Sequence, residues 1–212
     1  MFKWLFFGFI VRPLVLFIFG VHVRGRENLP LDIPCIIVAN HNSHIDTLVL
    51  MSLFPMRRIR ALRPVVAADY FMKNRWIKWF STHVIGIIAL SRTVAKTHSH
   101  PLEAVRKALE EGQSVIIFPE GSRGEAGQME KFKSGIGHLA KMAPFVPIIP
   151  IYIHGAGKVL PKGEALLVPF IIDIFIDKPL FIEDDTTHAL TERLESRIKA
   201  LEDVNQNNLT QV

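Results

Sequence analysis

Short apolar runs rich in β-branched residues alternate along the chain with longer stretches in which apolar residues recur every three or four positions. The short runs predict buried strands, and the longer stretches predict amphipathic helices. The predicted strands are Cys35–Ala39, Pro64–Ala68, Gly86–Leu90, Ser114–Phe118, Val146–Ile153 and Leu166–Ile176. The predicted helices are Ser43–Leu53, a stretch around Phe71–Phe80, Pro101–Glu111, Ser134–Met142 and a last helix from about Thr187 to Asp203.

This alternation of strands and helices predicts a single α/β domain with a mostly parallel central sheet flanked by helices. The strands are apolar almost throughout, as expected where helices cover both faces of the sheet. In such folds, ligands bind beyond the carboxyl ends of the strands. Polar residues follow three of the predicted strands, at Asn40-His41, Ser91-Arg92 and Pro119-Glu120. We therefore expect these distant parts of the chain to meet at one edge of the sheet.

The N-terminal residues are strongly apolar and contain six of the fifteen phenylalanines within the first nineteen positions. The run Trp4–Val23 is long enough to span a bilayer, which takes about 20 residues. However, Arg12 lies near its middle, and Pro13 would break or kink a helix. We therefore predict two short helices lying in one leaflet, with Lys3 and Arg12 facing anionic headgroups. The alternatives are a spanning helix, a helix packed on the protein's own core, and a signal peptide, although no small-residue cleavage site follows the run.

The length of 212 residues suits one domain that can bury a sizeable core. We assign residues 1–23 to a membrane-anchoring segment and residues 24–205 to the α/β domain. Hydrophobic residues make up 49% of the chain, and the formal net charge is +5. This combination favours an anionic lipid surface as partner over nucleic acid. A basic patch suits the same surface or the phosphates of an acidic acyl carrier, and it consists of Arg57, Arg58, Arg60 and Arg63.

The stretch from Asn40 to Asp46 contains a candidate acid–base pair. A strand delivers His41 to a turn, and the following helix carries Asp46 one turn further, so that the carboxylate can meet one imidazole nitrogen. The other nitrogen would then face the cleft as a general base. His44 is the alternative base, but its position at the start of the helix favours a supporting or capping role.

No protein nucleophile accompanies this base. A Gly-x-Ser-x-Gly elbow is absent from the sequence, and the single cysteine, Cys35, belongs to an apolar strand. We therefore expect direct attack by a substrate hydroxyl or by water, without an acyl-enzyme.

A second polar cluster follows the strand that ends at Phe118. Its two glycines permit close approach of the backbone, Ser122 offers a hydroxyl, and Arg123 is a fork-shaped phosphate ligand. Glu120 could bind an acceptor hydroxyl or hold Arg123. Arg92 is a third polar side chain at a strand end. The histidines lack zinc-ligand spacing, and no nucleotide-binding glycine loop is present, so neither a metal nor a nucleotide is expected.

Taken together and in this order, the clusters resemble the glycerolipid acyltransferase family, which includes the 1-acylglycerol-3-phosphate acyltransferases. Four blocks match the family pattern: the His-x4-Asp block Asn40–Asp46, then Gly86–Arg92, Phe118–Arg123 and Val146–Ile151. The likeness covers roughly residues 21 to 180 and includes Val23–Pro30 and Phe132–Gly135.

The resemblance implies a role for each matching residue. It implies that His41 is the base and that Asp46 orients it. It also implies that the acceptor, chiefly its phosphate, binds to a set made up of Arg92, Glu120, Gly121, Ser122 and Arg123. Pro150 would shape the acyl or acceptor pocket. No metal or bound cofactor is implied, and acyl-CoA or acyl carrier protein would be the co-substrate.

The implied reaction moves a fatty acyl chain from a thioester to the free hydroxyl of a lysophospholipid at the cytoplasmic face of the inner (plasma) membrane. The first acceptor to consider is 1-acylglycerol-3-phosphate, giving phosphatidate. The chain departs from the family in Val65–Phe71, where a lysine is common and Asp69 stands here. Another lysophospholipid or a lyso-aminolipid is therefore an alternative acceptor. An acyl-thioester hydrolase and a catalytically silent lipid-binding protein are the other open functions.

Overall fold

The computed structural model describes residues 2–17, 19–68, 74–90, 101–124, 128–159 and 170–209. Within these ranges, seven strands form one sheet with the order β1-β7-β6-β2-β5-β3-β4. The strands are β1 (Val21–Arg24), β2 (Ile36–Ala39), β3 (Leu62–Ala67), β4 (Ile88–Leu90), β5 (Ser114–Ile117), β6 (Ile148–His154) and β7 (Ile172–Ile176). Neighbouring strands run parallel, except β6 and β7, which are antiparallel.

The helices lie between the strands and at both ends of the chain. They are α1 (Phe2–Phe6), α2 (Arg12–Phe17), α3 (Ile45–Ser52), α4 (Arg75–Phe80), α5 (Glu103–Glu110), α6 (Gly135–Met142), α7 (Ala156–Val159) and α8 (Thr187–Leu209). The π-helical segment Phe7–Val11 joins α1 to α2, and a second one, Ser81–Ile85, continues α4.

The two faces of the sheet carry separate layers of core side chains. Successive residues of β2 alternate between them: Ile37 and Ala39 belong to one layer, and Ile36 and Val38 to the other. The N-terminal helices and α3 complete the first layer, whereas α5, α6 and α8 complete the second. Because helices cover both faces, all four residues of β2 are buried, which explains the continuous apolar pattern of this strand.

The predicted α/β class and its mostly parallel sheet are confirmed. All six predicted strands are present, with shifts of a few residues at their ends. The last one is present as β7, and residues 166–169 of that prediction lie outside the described residues. The sequence interpretation missed β1, because Val21–Arg24 was taken as the end of the apolar N-terminal run. This strand crosses the predicted boundary between residues 23 and 24. The sequence interpretation also ended the last helix too early, because α8 continues past Asp203 to Leu209.

The N-terminal segment remains helical through Pro13. Proline lacks an N–H and crowds the carbonyl four residues earlier, so an ordinary α-helix would break there. The π-helical segment removes the conflict, since the N–H of Arg12 donates to the carbonyl of Phe7, five residues back. Two helices are thus present, as predicted, but they form one nearly continuous rod across the sheet.

The two cations of this rod bind the protein, so the prediction that they face lipid headgroups is wrong. Lys3 is only 8% exposed, and its ammonium donates to the carbonyl of Leu62. Burial, together with the charge of Arg63, lowers the pKa of Lys3 to about 7. Arg12 donates from Nη2 to the carbonyl of Phe54 at 2.7 Å. Both side chains satisfy carbonyls at helix or turn ends of the domain.

One side of the rod packs into the core, and the other side is exposed and apolar. Phe7, Val11 and Val15 belong to the first core layer. Large apolar side chains face outwards on the other side, namely Phe2, Trp4, Leu5, Phe9, Ile10 and Phe17. Among the described residues, no helix combines the length and the hydropathy that are needed to cross a bilayer.

Candidate active site

The predicted polar clusters after β2 and β5 meet at one edge of the sheet, because these two strands are parallel neighbours. Asn40 ends β2 with a specific contact to the strand on its other side. Its side-chain amide donates to the carbonyl of Ile153 at 2.9 Å and accepts from the N–H of the same residue at 2.7 Å. The amide thus imitates one more backbone pair between β2 and β6 and releases the chain into a turn at His41.

His41 and Asp46 form the hydrogen bond that their spacing predicts. The Nδ1 of His41 lies 2.9 Å from the Oδ2 of Asp46. The same oxygen accepts from the backbone N–H groups of Asn42 and Ser43, each at 2.8 Å. Asp46 is 1% exposed and sits in the first turn of α3, where the helix dipole favours a carboxylate. Three donors therefore fix the carboxylate, which in turn fixes the imidazole.

The imidazole ring is held on a second side by Phe118. The two rings stack with centroids 4.0 Å apart and planes inclined by 17°. Since Nδ1 is bound to Asp46, Nε2 is the nitrogen left to take a proton, and 17% of the side chain is exposed. The sequence interpretation assigned no role to Phe118, because a phenylalanine at the end of an apolar strand is ordinary core.

Glu120 supports the histidine from behind. Its Oε1 accepts from the backbone N–H of His41 at 2.8 Å, and its Oε2 accepts from the backbone N–H of Glu130 at 3.1 Å. The residue is 2% exposed. Burial raises the pKa of Glu120 to about 7, although the two backbone donors favour its charged form. Both carboxyl oxygens thus bind backbone, so the geometry favours a positioning role; the implied contact with the acceptor stays a prediction.

The turn after Glu120 brings Arg123 next to His41. Gly121 has a φ of +76°, which suits glycine. The N–H of Gly124 donates to the carbonyl of His41 at 3.0 Å, so the turn closes against the histidine. Ser122 is exposed and Arg123 is partly buried within this turn.

His44 lies in the same cluster of charges. Partial burial lowers the pKa of His44, and electrostatic interaction with Arg123 and with His41 lowers it further. The residue precedes α3, but its side chain does not cap that helix, so the capping role is wrong. A supporting role remains a prediction.

The other predicted site residues are placed differently. Pro150 is buried in β6 opposite Val38, three residues before His41 on the neighbouring strand. Arg92 and Asp69 lie outside the described residues. In the basic patch, Arg57, Arg58 and Arg60 precede β3 and Arg63 is its second residue, so the patch lies at the sheet edge opposite His41. Among the described residues, no group of three or more His, Cys, Asp or Glu side chains is placed to hold a metal ion.

Comparison with known proteins identifies the family. The family model described as Acyltransferase matches residues 20–154, a range that runs from the start of β1 to the end of β6 and includes both members of the His–Asp pair. The chain belongs to the acyltransferase family.

Several curated relatives match most of the length of this acyltransferase. A 1-acyl-sn-glycerol-3-phosphate acyltransferase of Pseudomonas aeruginosa is 32% identical over 178 residues, which is 80% of this chain and 63% of the relative. A chloroplastic 1-acyl-sn-glycerol-3-phosphate acyltransferase of Brassica napus is 30% identical over 75% of this chain, and the match spans 44% of that relative. The chain therefore spans less than half the length of the Brassica protein.

The fold has a solved counterpart. The 1-acyl-sn-glycerophosphate acyltransferase PlsC from Thermotoga maritima superposes with a TM-score of 0.72. The match covers 89% of this acyltransferase and 73% of that chain, at 23% sequence identity. It establishes the fold.

Proposed function

We propose that this acyltransferase moves a fatty acyl chain from an acyl-CoA or acyl-carrier-protein thioester to the free hydroxyl of a lysophospholipid. The proposed acceptor is 1-acylglycerol-3-phosphate, and the proposed product is phosphatidate. One observation carries the chemistry: the Asp46 carboxylate holds Nδ1 of His41 at 2.9 Å and leaves Nε2 at the partly exposed edge of the sheet. The names of the relatives support this acceptor.

The proposed reaction proceeds by direct transfer. Nε2 of His41 takes the proton of the acceptor hydroxyl as its oxygen attacks the thioester carbonyl. Asp46 stabilises the imidazolium that forms, as the carboxylate does in hydrolase triads. The tetrahedral intermediate collapses, the carbon–sulfur bond breaks, and the thiolate takes the proton back from His41. The products are the ester and a free thiol, and Cys35 takes no part because it is fully buried and burial raises its thiol pKa to about 11.

The reaction is tested by measuring thiol release from a long-chain acyl-CoA with detergent-purified protein. The acceptors are lysophosphatidate, lysophospholipids with larger headgroups, a lyso-aminolipid, and none. Release that requires lysophosphatidate is the expected result. Release without any acceptor would identify a thioester hydrolase, and release with another acceptor alone would change the proposed headgroup. If no thiol were released from acyl-CoA or from acyl-carrier-protein thioester, the protein would be a catalytically silent lipid-binding protein.

Arg123 is the proposed ligand of the acceptor phosphate, with Arg92, Gly121 and Ser122 as further contacts. The Arg123→Ala variant is expected to raise the apparent KM for lysophosphatidate about tenfold or more, since a charge-assisted contact is lost, while the maximal rate changes little. Steady-state thiol release at varied acceptor concentration measures this effect. Arg60→Ala is the matched control, because it makes the same charge change on an exposed side chain at the opposite sheet edge. Equal KM values for Arg123→Ala and the control would remove Arg123 from the site.

We further propose that the protein works on an anionic bilayer surface at the cytoplasmic face of the inner (plasma) membrane. The exposed apolar side of the N-terminal rod continues onto α4, since the rings of Phe2 and Trp79 lie 6.2 Å apart. Trp76 on the same helix is 76% exposed. Arg75 and Lys78 flank these aromatic rings, which is the arrangement of interfacial helices that bind anionic lipid.

Membrane binding should depend on the exposed apolar side of the rod. Phe9 and Phe17 are 71% and 85% exposed, so replacing both with serine should leave the fold intact. Burying a phenylalanine contributes roughly 1.5–3 kcal/mol, and the double variant should therefore bind vesicles of anionic phospholipid at least about tenfold more weakly. Vesicle sedimentation measures the loss. The control is the double variant Phe145→Ser and Phe181→Ser, because both side chains are exposed outside the rod. An equal loss of vesicle binding in the control would contradict the rod as the membrane-binding surface.

A further inference from the structure

Lys133 lies against the turn that follows β5. Its backbone N–H donates to the carbonyl of Pro119 at 3.0 Å, which anchors it beside this turn. Its side chain then extends across Gly121. A Cβ atom placed on Gly121 would come within 2.5 Å of the Lys133 Nζ and 3.2 Å of its Cδ. The absence of a side chain at position 121 thus makes room for the lysine. Lys133 is exposed to solvent.

This position puts a second cation at the His41 edge. Glu120, which precedes Gly121, accepts from the backbone N–H of His41. Arg123 follows in the same turn, and Gly124 closes the turn against the carbonyl of His41. Lys133 therefore lies against the same short turn that carries Arg123, although the two residues belong to different segments of the chain.

The chemistry of the proposed acceptor explains why two cations are needed here. In 1-acylglycerol-3-phosphate, the reacting hydroxyl and the phosphate stand on neighbouring carbon atoms, so a hydroxyl at His41 places the phosphate close to the same turn. A phosphate monoester carries nearly two negative charges at neutral pH and offers three acceptor oxygens. Arg92, the other cation proposed for this phosphate, lies outside the described residues; within them, the guanidinium of Arg123 balances one charge and the ammonium of Lys133 balances the second.

We infer that Lys133 binds the acceptor phosphate together with Arg123 and selects a bare phosphate monoester over phosphodiester headgroups. A phosphodiester has one negative charge, and a choline or ethanolamine group adds a positive charge that the ammonium of Lys133 repels. The inference deepens the proposed function and rests on it for the identity of the acceptor. It gives a role to the Phe132–Gly135 stretch, which the sequence comparison matched without assigning any chemistry to it.

The kinetic test compares three variants in the thiol-release assay. Lys133→Met should raise the KM for lysophosphatidate about tenfold with little change in kcat or in the KM for acyl-CoA. Lys133→Arg should restore most of the loss, because the positive charge returns. Lys131→Met makes the same charge change on an exposed lysine two positions away and should behave as the unmodified protein. With lysophosphatidylcholine as acceptor, Lys133→Met should equal or exceed the unmodified protein.

A binding test separates this inference from the proposed reaction. Lysophosphatidate in detergent micelles is titrated into the His41→Ala protein, which cannot turn over. The same titration is made after adding either Lys133→Met or Lys131→Met to that protein. About tenfold weaker binding with Lys133→Met than with Lys131→Met supports the inference even if thiol release fails in the unmodified protein. Equal binding by both variants overturns it, as does a loss of kcat with an unchanged acceptor KM in the kinetic test.

Discussion

The His41→Ala variant is expected to lose at least about a thousandfold in the rate of acyl transfer, because it removes the base that takes the acceptor proton. The protein should remain folded, since the imidazole lies at a strand end with 17% exposure and the backbone contacts of residue 41 to Glu120 and Gly124 do not involve the ring. Thiol release at saturating acceptor measures the rate, and the thermal unfolding midpoint checks the fold.

The control for this variant is His44→Ala. His44 is the other histidine of the same turn, and it lies close enough to His41 for their charges to interact. Its loss should change the rate less than about tenfold, because Asp46 orients His41 and not His44. A rate near that of the unmodified protein in His41→Ala, or a larger loss in His44→Ala, would show that His41 is not the base.

The Glu120→Gln variant is expected to lower kcat by about a hundredfold and to leave the acceptor KM within about threefold. The amide of glutamine offers one oxygen, so either the N–H of His41 or that of Glu130 would face an NH2 group and lose its acceptor. One buried N–H without a partner costs roughly 1–3 kcal/mol, and the turn that carries the base would shift. Steady-state kinetics and denaturant unfolding measure the two effects.

The matched control is Glu130→Gln, which makes the same charge change on an exposed side chain whose backbone N–H keeps its bond to Glu120. This control should keep the rate and stability of the unmodified protein. If Glu120→Gln instead raised the acceptor KM at constant kcat, Glu120 would be the acceptor ligand that the family resemblance implies.

Features that depend on neighbours in the chain could be predicted from the sequence. The β2 run is apolar at every position because both faces of this strand are buried, and that pattern identified it directly. The contact between His41 and Asp46 spans only five residues, so a strand end followed by a helix start is enough to bring them together. The contact of Asn40 with Ile153 also has a local signal, which is an amide side chain placed directly after an apolar run.

Features that depend on remote partners could not be predicted. The bond between Glu120 and His41 joins residues 79 positions apart, and nothing local distinguishes a carboxylate that holds backbone from one that binds substrate. Likewise, β1 pairs with β7 from the far end of the chain, and its alternation of half-buried and exposed residues resembles the tail of an anchor.

The N-terminal rod shows that a core helix and a helix with an exposed apolar side are not exclusive alternatives. One side of the rod packs against the sheet, and the other side is exposed and apolar. Only the structure distinguishes Phe7, which is fully buried, from Phe9, which is not.

The burial of one side of this rod has a practical consequence for protein production. Deleting the first nineteen residues, the usual way to free an enzyme from lipid, would remove part of the cover from one face of the sheet. One core layer joins side chains of the rod to those of the strands, namely Phe7, Val11, Val15 and Phe19 to Ile37, Ile149 and Ile172. Removing the rod would therefore expose apolar strand residues to water. The shortened chain would aggregate. Polar substitutions confined to the outward side chains offer the better route to a detergent-free enzyme.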